Sequence, residues 1–161
     1  MKRLSTYLVL IAAIAGVVFA ANVATASSKS KTTYETMIIV GHVLGQKGSD
    51  GLNHDTTYGA NFSVSVGQKV IVTVYNFDEG PHTITAKALG LNVKIPGATN
   101  EEKGVPSKTI FSFTPKKAGK VRWYCAVPCD GGQNFWAMAK TSAGPARNGY
   151  MAGYITVTPT A

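Results

Sequence analysis

The chain has 161 residues, the size of a single domain, and 45% of them are hydrophobic against 15% charged. This composition supports a packed core and excludes a chain that is disordered throughout. The formal net charge is +8, but the basic residues are scattered without interleaved aromatic residues, so the sequence predicts no nucleic-acid partner.

The N-terminus has the layout of a targeting segment. Lys2 and Arg3 precede an apolar run from Leu8 to Val18, and Ala24 to Ala26 supplies small residues before a polar stretch. Length alone does not separate a cleaved signal peptide from an uncleaved membrane anchor, but either one exports the rest of the chain to an extracytoplasmic location, periplasmic or cell-surface. The predicted division is a signal peptide or membrane anchor at 1–26, a linker at 27–33 and one domain at 34–161.

Short alternating or β-branched segments dominate the domain and are separated by glycine- and proline-rich turns. The predicted strands are Tyr34–Val43, Phe62–Val66, Val70–Phe77, His82–Ala86, Leu91–Ile95, Ser107–Phe113, Lys120–Cys125 and Tyr150–Val157. Polar loops are predicted at Gly45–Gly59 and Gly97–Pro106, and no amphipathic helix is predicted. This pattern indicates an all-β sandwich.

The two cysteines of the chain, Cys125 and Cys129, follow a predicted strand and share a loop with Pro128 and two glycines. Thiolates are soft ligands that select copper(I), zinc and iron–sulfur centres, and two of them at this spacing can face one point. Exported thiols also tend to oxidise, so a Cys125–Cys129 disulfide stays open as an alternative, although so short a loop removes little entropy from the unfolded chain.

The cysteine loop, the strand before it and the closing strand resemble the CuA domain of cytochrome c oxidase subunit II, a cupredoxin. The matching segments are Phe113–Cys125, the Cys-x-x-x-Cys spacing, Met151–Val157 and Gly80–Ile84 with its histidine. The resemblance covers roughly Tyr34 to Val157 and implies a cupredoxin-like Greek-key β-sandwich. The one hydrophobic segment before the domain fits the single-helix type of subunit II.

The resemblance also implies a copper site of one or two ions. By that match the metal ligands are His82, Cys125, Cys129 and Met151, with the carbonyl group of Val127 alongside. On the residues alone, His82 has an ordinary alternative as a hydrogen-bonded histidine and Met151 as a core filler.

Two departures from the family pattern affect the ligand set. Gln133 stands where the family has its second histidine, and its amide oxygen is a poor ligand for copper(I). Residues 135–147 are inserted before the closing strand. His42 or His54 can replace the missing ligand, or a single-copper site can form from His82, one cysteine and the methionine.

The sequence therefore predicts an exported copper-binding electron-transfer protein, at most the electron-entry subunit of a terminal oxidase. Its expected partners are a redox protein and other oxidase subunits. Two alternatives are a copper-free cupredoxin-fold interaction module with a Cys125–Cys129 disulfide and a copper-delivery protein whose incomplete site favours release. No hydrolase motif is present, and the eight acidic residues form no evident catalytic pair.

Overall fold

The computed structural model describes residues 32–128, Asp130, Ala137 and residues 148–160. The predicted signal or anchor at 1–26, Cys129, Gln133 and all of the 135–147 insertion except Ala137 lie outside the described residues. In the described ranges, no helix combines the length and the apolar character needed to cross a membrane.

The described residues form eleven strands and one 3-10 turn at Lys87–Leu89. The strands are β1 Thr33–Val40, β2 Gln46–Lys47, β3 Asn53–His54, β4 Thr56–Tyr58, β5 Phe62–Ser65, β6 Val70–Asn76, β7 His82–Ala86, β8 Leu91–Ile95, β9 Ser107–Phe113, β10 Gly119–Tyr124 and β11 Ala152–Thr158.

These strands build two main sheets. One sheet has the order β4-β1-β6-β9, the other has the order β5-β11-β10-β7-β8, and β2 pairs with β3 in a separate ribbon. The β1–β6 and β5–β11 pairs are parallel, whereas the other neighbours are antiparallel. Both sheets contribute side chains to one hydrophobic core. The predicted all-β sandwich is therefore confirmed.

Alternation along β6 shows how the sequence specifies this core. Val70, Val72 and Val74 are fully buried, and the residues between them are only partly covered, as expected for a strand with one face on the core. Trp123 of β10 is also fully buried, and its indole N–H donates to the carbonyl of Ala60 at 2.7 Å. That bond satisfies the polar atom of the largest core side chain.

The predicted bounds of β7, β8 and β9 are confirmed. The prediction of a polar loop over the whole of Gly45–Gly59 is wrong, because β2, β3 and β4 lie within it. Each of these strands has two or three residues, too few to show an alternating pattern. The first strand ends at Val40 rather than Val43 because a turn begins after Gly41.

Strand order brings the ends of three neighbouring strands together. β10 lies between β7 and β11 and runs antiparallel to both, with Tyr124 opposite Thr85 on one side and Ala152 on the other. The first residue of β7 and the residues just after β10 and just before β11 therefore meet at one end of the sheet. Those residues are His82, Cys125 and Met151.

Candidate metal centre

Cys125 is held by backbone contacts from both neighbouring strands. Its side chain is buried, with 1% of the residue exposed. Its N–H donates to the carbonyl of Met151 at 2.9 Å, and the N–H of Thr83 points at its Sγ atom at 3.4 Å. An N–H group aimed at sulfur stabilises the thiolate form, which is the form that binds metals.

The imidazole of His82 lies beside this sulfur. Its Nδ1 atom is 3.9 Å from Sγ of Cys125, and its Nε2 atom is 2.8 Å from Oδ2 of Asp78. Because Nε2 donates its proton to the carboxylate, Nδ1 is the nitrogen that can present a lone pair toward the sulfur. The predicted residues His82 and Cys125 are thus brought together, 43 positions apart in the chain.

The pKa of His82 depends on burial, which acts in one direction, and on Asp78 and Cys125, which both act in the other. Burial lowers the pKa of the imidazole, but the hydrogen bonds and charges of Asp78 and Cys125 outweigh burial and raise the pKa to about 9. At neutral pH the ring without metal is therefore protonated. A metal ion bound at Nδ1 would take the place of the proton on that nitrogen.

The spacing fits two ligands of one metal ion. With metal–sulfur and metal–nitrogen bonds of about 2.3 and 2.05 Å, tetrahedral or trigonal angles put the two ligand atoms about 3.6–3.8 Å apart. The observed separation of Nδ1 and Sγ is 3.9 Å. A sulfur and an imidazole nitrogen are also the donor types that copper accepts.

Two of the other predicted ligands, Val127 and Met151, lie near Cys125, and two lie outside the described residues. The carbonyl oxygen of Val127 lies 3.6 Å from Sγ of Cys125. Met151 is fully buried next to the backbone of Cys125, and its Sδ atom accepts a hydrogen bond of 3.3 Å from the hydroxyl of Thr57. Cys129 and Gln133 lie outside the described residues, so their predicted roles remain predictions.

Asp78 is fixed by the turn between β6 and β7. Its N–H donates to Oδ1 of Asn76 at 3.0 Å, and its Oδ2 accepts the N–H of Gly80 at 3.1 Å. Asn76 in turn donates to the carbonyls of Gly80 and Pro96, each at 2.9 Å. Gly41 packs against the carboxylate so closely that a side chain there would meet Oδ1. The carboxylate therefore reaches His82 from a rigid position.

His54, which the sequence analysis offered as a replacement for the missing histidine ligand, lies at the same end of the molecule. It is fully buried, Nδ1 bonds the carboxylate of Asp130, and Nε2 lies 2.9 Å from both oxygens of Asp50. Burial lowers its pKa, but the two carboxylates outweigh burial and raise it. With both nitrogens on carboxylates, His54 is not placed as a metal ligand. His42 is exposed in the turn after β1.

Asp130 connects the cysteine loop to the β3–β4 segment. It follows Cys129 and has a left-handed backbone, φ 64°, which Asp tolerates better than most residues. Its N–H donates to Oδ2 of Asp55 at 2.7 Å, and its carboxylate accepts the N–H groups of Asp55 at 3.4 Å and Ala137 at 3.3 Å. These bonds fix the residue directly after the second cysteine.

Asp55 is a second residue that the sequence did not single out. It is 3% exposed, and burial, followed by the charges of Asp78 and Asp130, raises its pKa to about 6. It lies in a segment whose polar composition suggests a solvated loop, so no sequence signal marks it. It lies in a buried cluster with Asp78 and His82 and bonds Asp130.

The architecture and this site together define the class. The molecule is an all-β sandwich with a buried imidazole–sulfur pair at one end. No protein-family model matches the chain, and no curated protein matches it.

Similar solved structures include two copper enzymes. The blue copper oxidase from Nitrosomonas europaea has a TM-score of 0.48 and 17% identity, and the multicopper oxidase mgLAC has a TM-score of 0.49 and 21% identity. In each case the match covers 81% of this chain and 40% of the other protein. The chain thus spans less than half the length of either enzyme.

Proposed function

We propose that the chain is an exported copper protein that transfers single electrons. One observation supports this most directly: Nδ1 of His82 and Sγ of Cys125 lie 3.9 Å apart, and both residues are 1% exposed. Copper bound between them supplies a one-electron couple.

The surroundings of the pair suit electron transfer. His82 and Cys125 belong to the ends of two different strands, so the sheet holds them in one arrangement. Asp78 orients the imidazole through its bond to Nε2, and the N–H of Thr83 orients the sulfur of Cys125. Ligands that move little between oxidation states lower the cost of electron transfer, and burial with N–H bonds to sulfur tunes the potential.

The finer form of the proposal is a centre like that of cytochrome c oxidase subunit II. The Cys-x-x-x-Cys spacing and the closing strand after Met151 support it, as does the position of the Val127 carbonyl. In this form Cys129 is the second sulfur ligand. Gln133 in place of a histidine favours one firmly held ion over two.

We also propose that the site faces away from any N-terminal anchor. Thr33, where β1 begins, pairs with Val70, whereas Ile39 pairs with Asn76 at the end that holds Asp78. Six residues of strand separate these ends by about 20 Å. A membrane anchor before residue 33 would therefore leave the copper end open to a soluble redox partner.

Copper reconstitution tests the proposal. The purified full chain is treated with Cu(II) under mild reduction, and bound copper, visible absorption and EPR are recorded. A purple product with hyperfine structure from two nuclei indicates a two-copper centre, and a blue, green or red product with a one-nucleus pattern indicates a single ion. No copper uptake, together with no titratable thiols, rejects the proposal and favours the disulfide-bonded, copper-free alternative.

A further inference from the structure

The His82 ring lies close to two buried carboxylates, and one of them, Asp78, bonds Nε2, the nitrogen that does not face Cys125. A ring nitrogen of His82 and one carboxylate oxygen each from Asp55 and Asp78 all lie within 4.8 Å of one another. The exposed fractions of these residues are 1%, 3% and 8%. Two carboxylates this close and this buried repel each other unless a proton or a cation lies with them.

Each carboxylate also has one oxygen that accepts no hydrogen bond from the part of the chain described by the structure. Oδ2 of Asp55 accepts the N–H of Asp130, and Oδ2 of Asp78 accepts from Gly80 and His82. The Oδ1 atoms have no such donor. Buried acceptors without donors are rare in folded proteins, and a bound cation is one way to satisfy them.

We propose that Asp55, Asp78 and Nε2 of His82 bind a divalent cation of borderline hardness, such as zinc, at a site separate from the sulfur site on Nδ1. Two carboxylate oxygens and one imidazole nitrogen form a donor set that zinc accepts, with a fourth position left for water. The cation can reach the site from solvent on the Asp78 side, since the Asp78 side chain is 12% exposed while that of His82 is fully buried.

The proton on Nε2 must leave when the cation binds. Nε2 has a single lone pair, so the cation and the proton shared with Asp78 are alternatives. With no copper on Nδ1, that nitrogen already carries a proton at neutral pH, so the Nε2 proton is released to solvent, and with copper bound it is released to solvent as well. His82 would then be one ring between a soft site on the Cys125 side and a harder site on the Asp55 side. This second site does not depend on copper binding.

Zinc binding is tested in a chain that has no thiols. The full chain with Cys125→Ser and Cys129→Ser is dialysed against zinc chloride, and bound zinc is measured by metal analysis. The expected result is one zinc per chain and a rise in the thermal midpoint with zinc concentration. Because no thiol is present, this result is independent of the proposed copper function.

Two carboxylate variants of the thiol-free chain locate the site. Asp55→Asn and Asp78→Asn are each expected to lose the bound zinc and the zinc-dependent rise in midpoint. Asp50→Asn, which changes a carboxylate on His54 instead, is the matched control and is expected to keep both. Circular dichroism identifies folded variants. Failure of the folded thiol-free chain to bind zinc, or retention of zinc by either folded variant, overturns the proposal.

Discussion

The Nδ1 atom of His82 faces the sulfur of Cys125 while its Nε2 atom bonds Asp78. One ring thereby links the proposed metal-binding sulfur to a fixed carboxylate. The carboxylate of Asp78 fixes the orientation of the ring and keeps a proton on Nε2, so that Nδ1 can face the sulfur. Histidines that bind metals usually donate their other ring N–H to a carboxylate in this way.

Replacing the imidazole tests whether it is a ligand. His82→Ala is expected to abolish stoichiometric copper binding, because it removes the nitrogen beside Sγ of Cys125. Metal analysis after reconstitution measures the loss, and circular dichroism shows whether the variant is folded. His42→Ala is the control, since His42 is exposed in a turn; unchanged copper binding in folded His82→Ala would show that the imidazole is not a ligand.

Neutralising the carboxylate behind the ring should weaken copper binding without removing a ligand. Asp78→Asn is expected to lower copper affinity about 10–100-fold and to raise the reduction potential, because a less basic imidazole stabilises the oxidised ion less. A competition titration and a redox titration measure the two effects. Asp50→Asn is the matched control, because Asp50 and His54 have the same i, i+4 spacing as Asp78 and His82. An unchanged potential would contradict a tuning role for Asp78.

Local patterns in the sequence were enough to predict the longer strands and to name His82 and Cys125, which the fold brings close together. β7, β8 and β9 were predicted with the correct bounds because apolar or β-branched runs end at recognisable turn residues. His82 and Cys125 were predicted because a histidine after a Gly-Pro turn and a cysteine pair after a strand match the subunit II pattern. Their proximity follows from the antiparallel pairing of β7 with β10.

The burial of the two carboxylates and of His54 could not be predicted in the same way. Asp55, Asp130 and His54 stand in polar, loop-like sequence, where charged residues are ordinarily solvated. Their burial arises only when the β2–β3 ribbon and the cysteine loop meet, 75 or more positions apart in the chain. No local periodicity encodes such a contact, so only the folded structure shows it.

Asp55 should make the stability of the copper-free chain depend on pH. Its pKa is raised from 3.8 to about 6 by burial, so the folded state holds a proton that the unfolded state releases between these values. Stability from this group is therefore complete below pH 3.8 and is lost as the pH rises through 6. Asp55→Asn, which mimics the protonated acid, should remove this loss.

Urea unfolding of copper-free wild type and Asp55→Asn from pH 3.5 to 7.5 measures the difference. The free energy of unfolding of the variant minus that of wild type should increase with pH across the 3.8–6 window and then level off. Glu35 and His54 also have raised pKa values, but both chains share them, so they cancel in the difference. A difference that is flat with pH would contradict a buried, proton-holding Asp55.

His54 should stabilise the fold through the cysteine loop. It is fully buried and bonds the carboxylate of Asp130, whose side chain is fully buried too. His54→Ala leaves that buried carboxylate without its imidazole partner, so we expect a loss of about 3–5 kcal/mol in the free energy of unfolding. Urea denaturation of the copper-free chain at neutral pH measures it. The exposed His42→Ala variant should change stability by less than about 0.5 kcal/mol.

A double-mutant cycle separates this bond from general loss of packing. Asp130→Asn in the His54→Ala background should cost much less than Asp130→Asn alone, because the charge pair is already broken. Since Asp130 directly follows Cys129, the same variants should release copper faster when a chelator is added to the reconstituted protein. Additive stability losses together with unchanged copper release would show that the His54–Asp130 bond does not support the loop that holds the second cysteine.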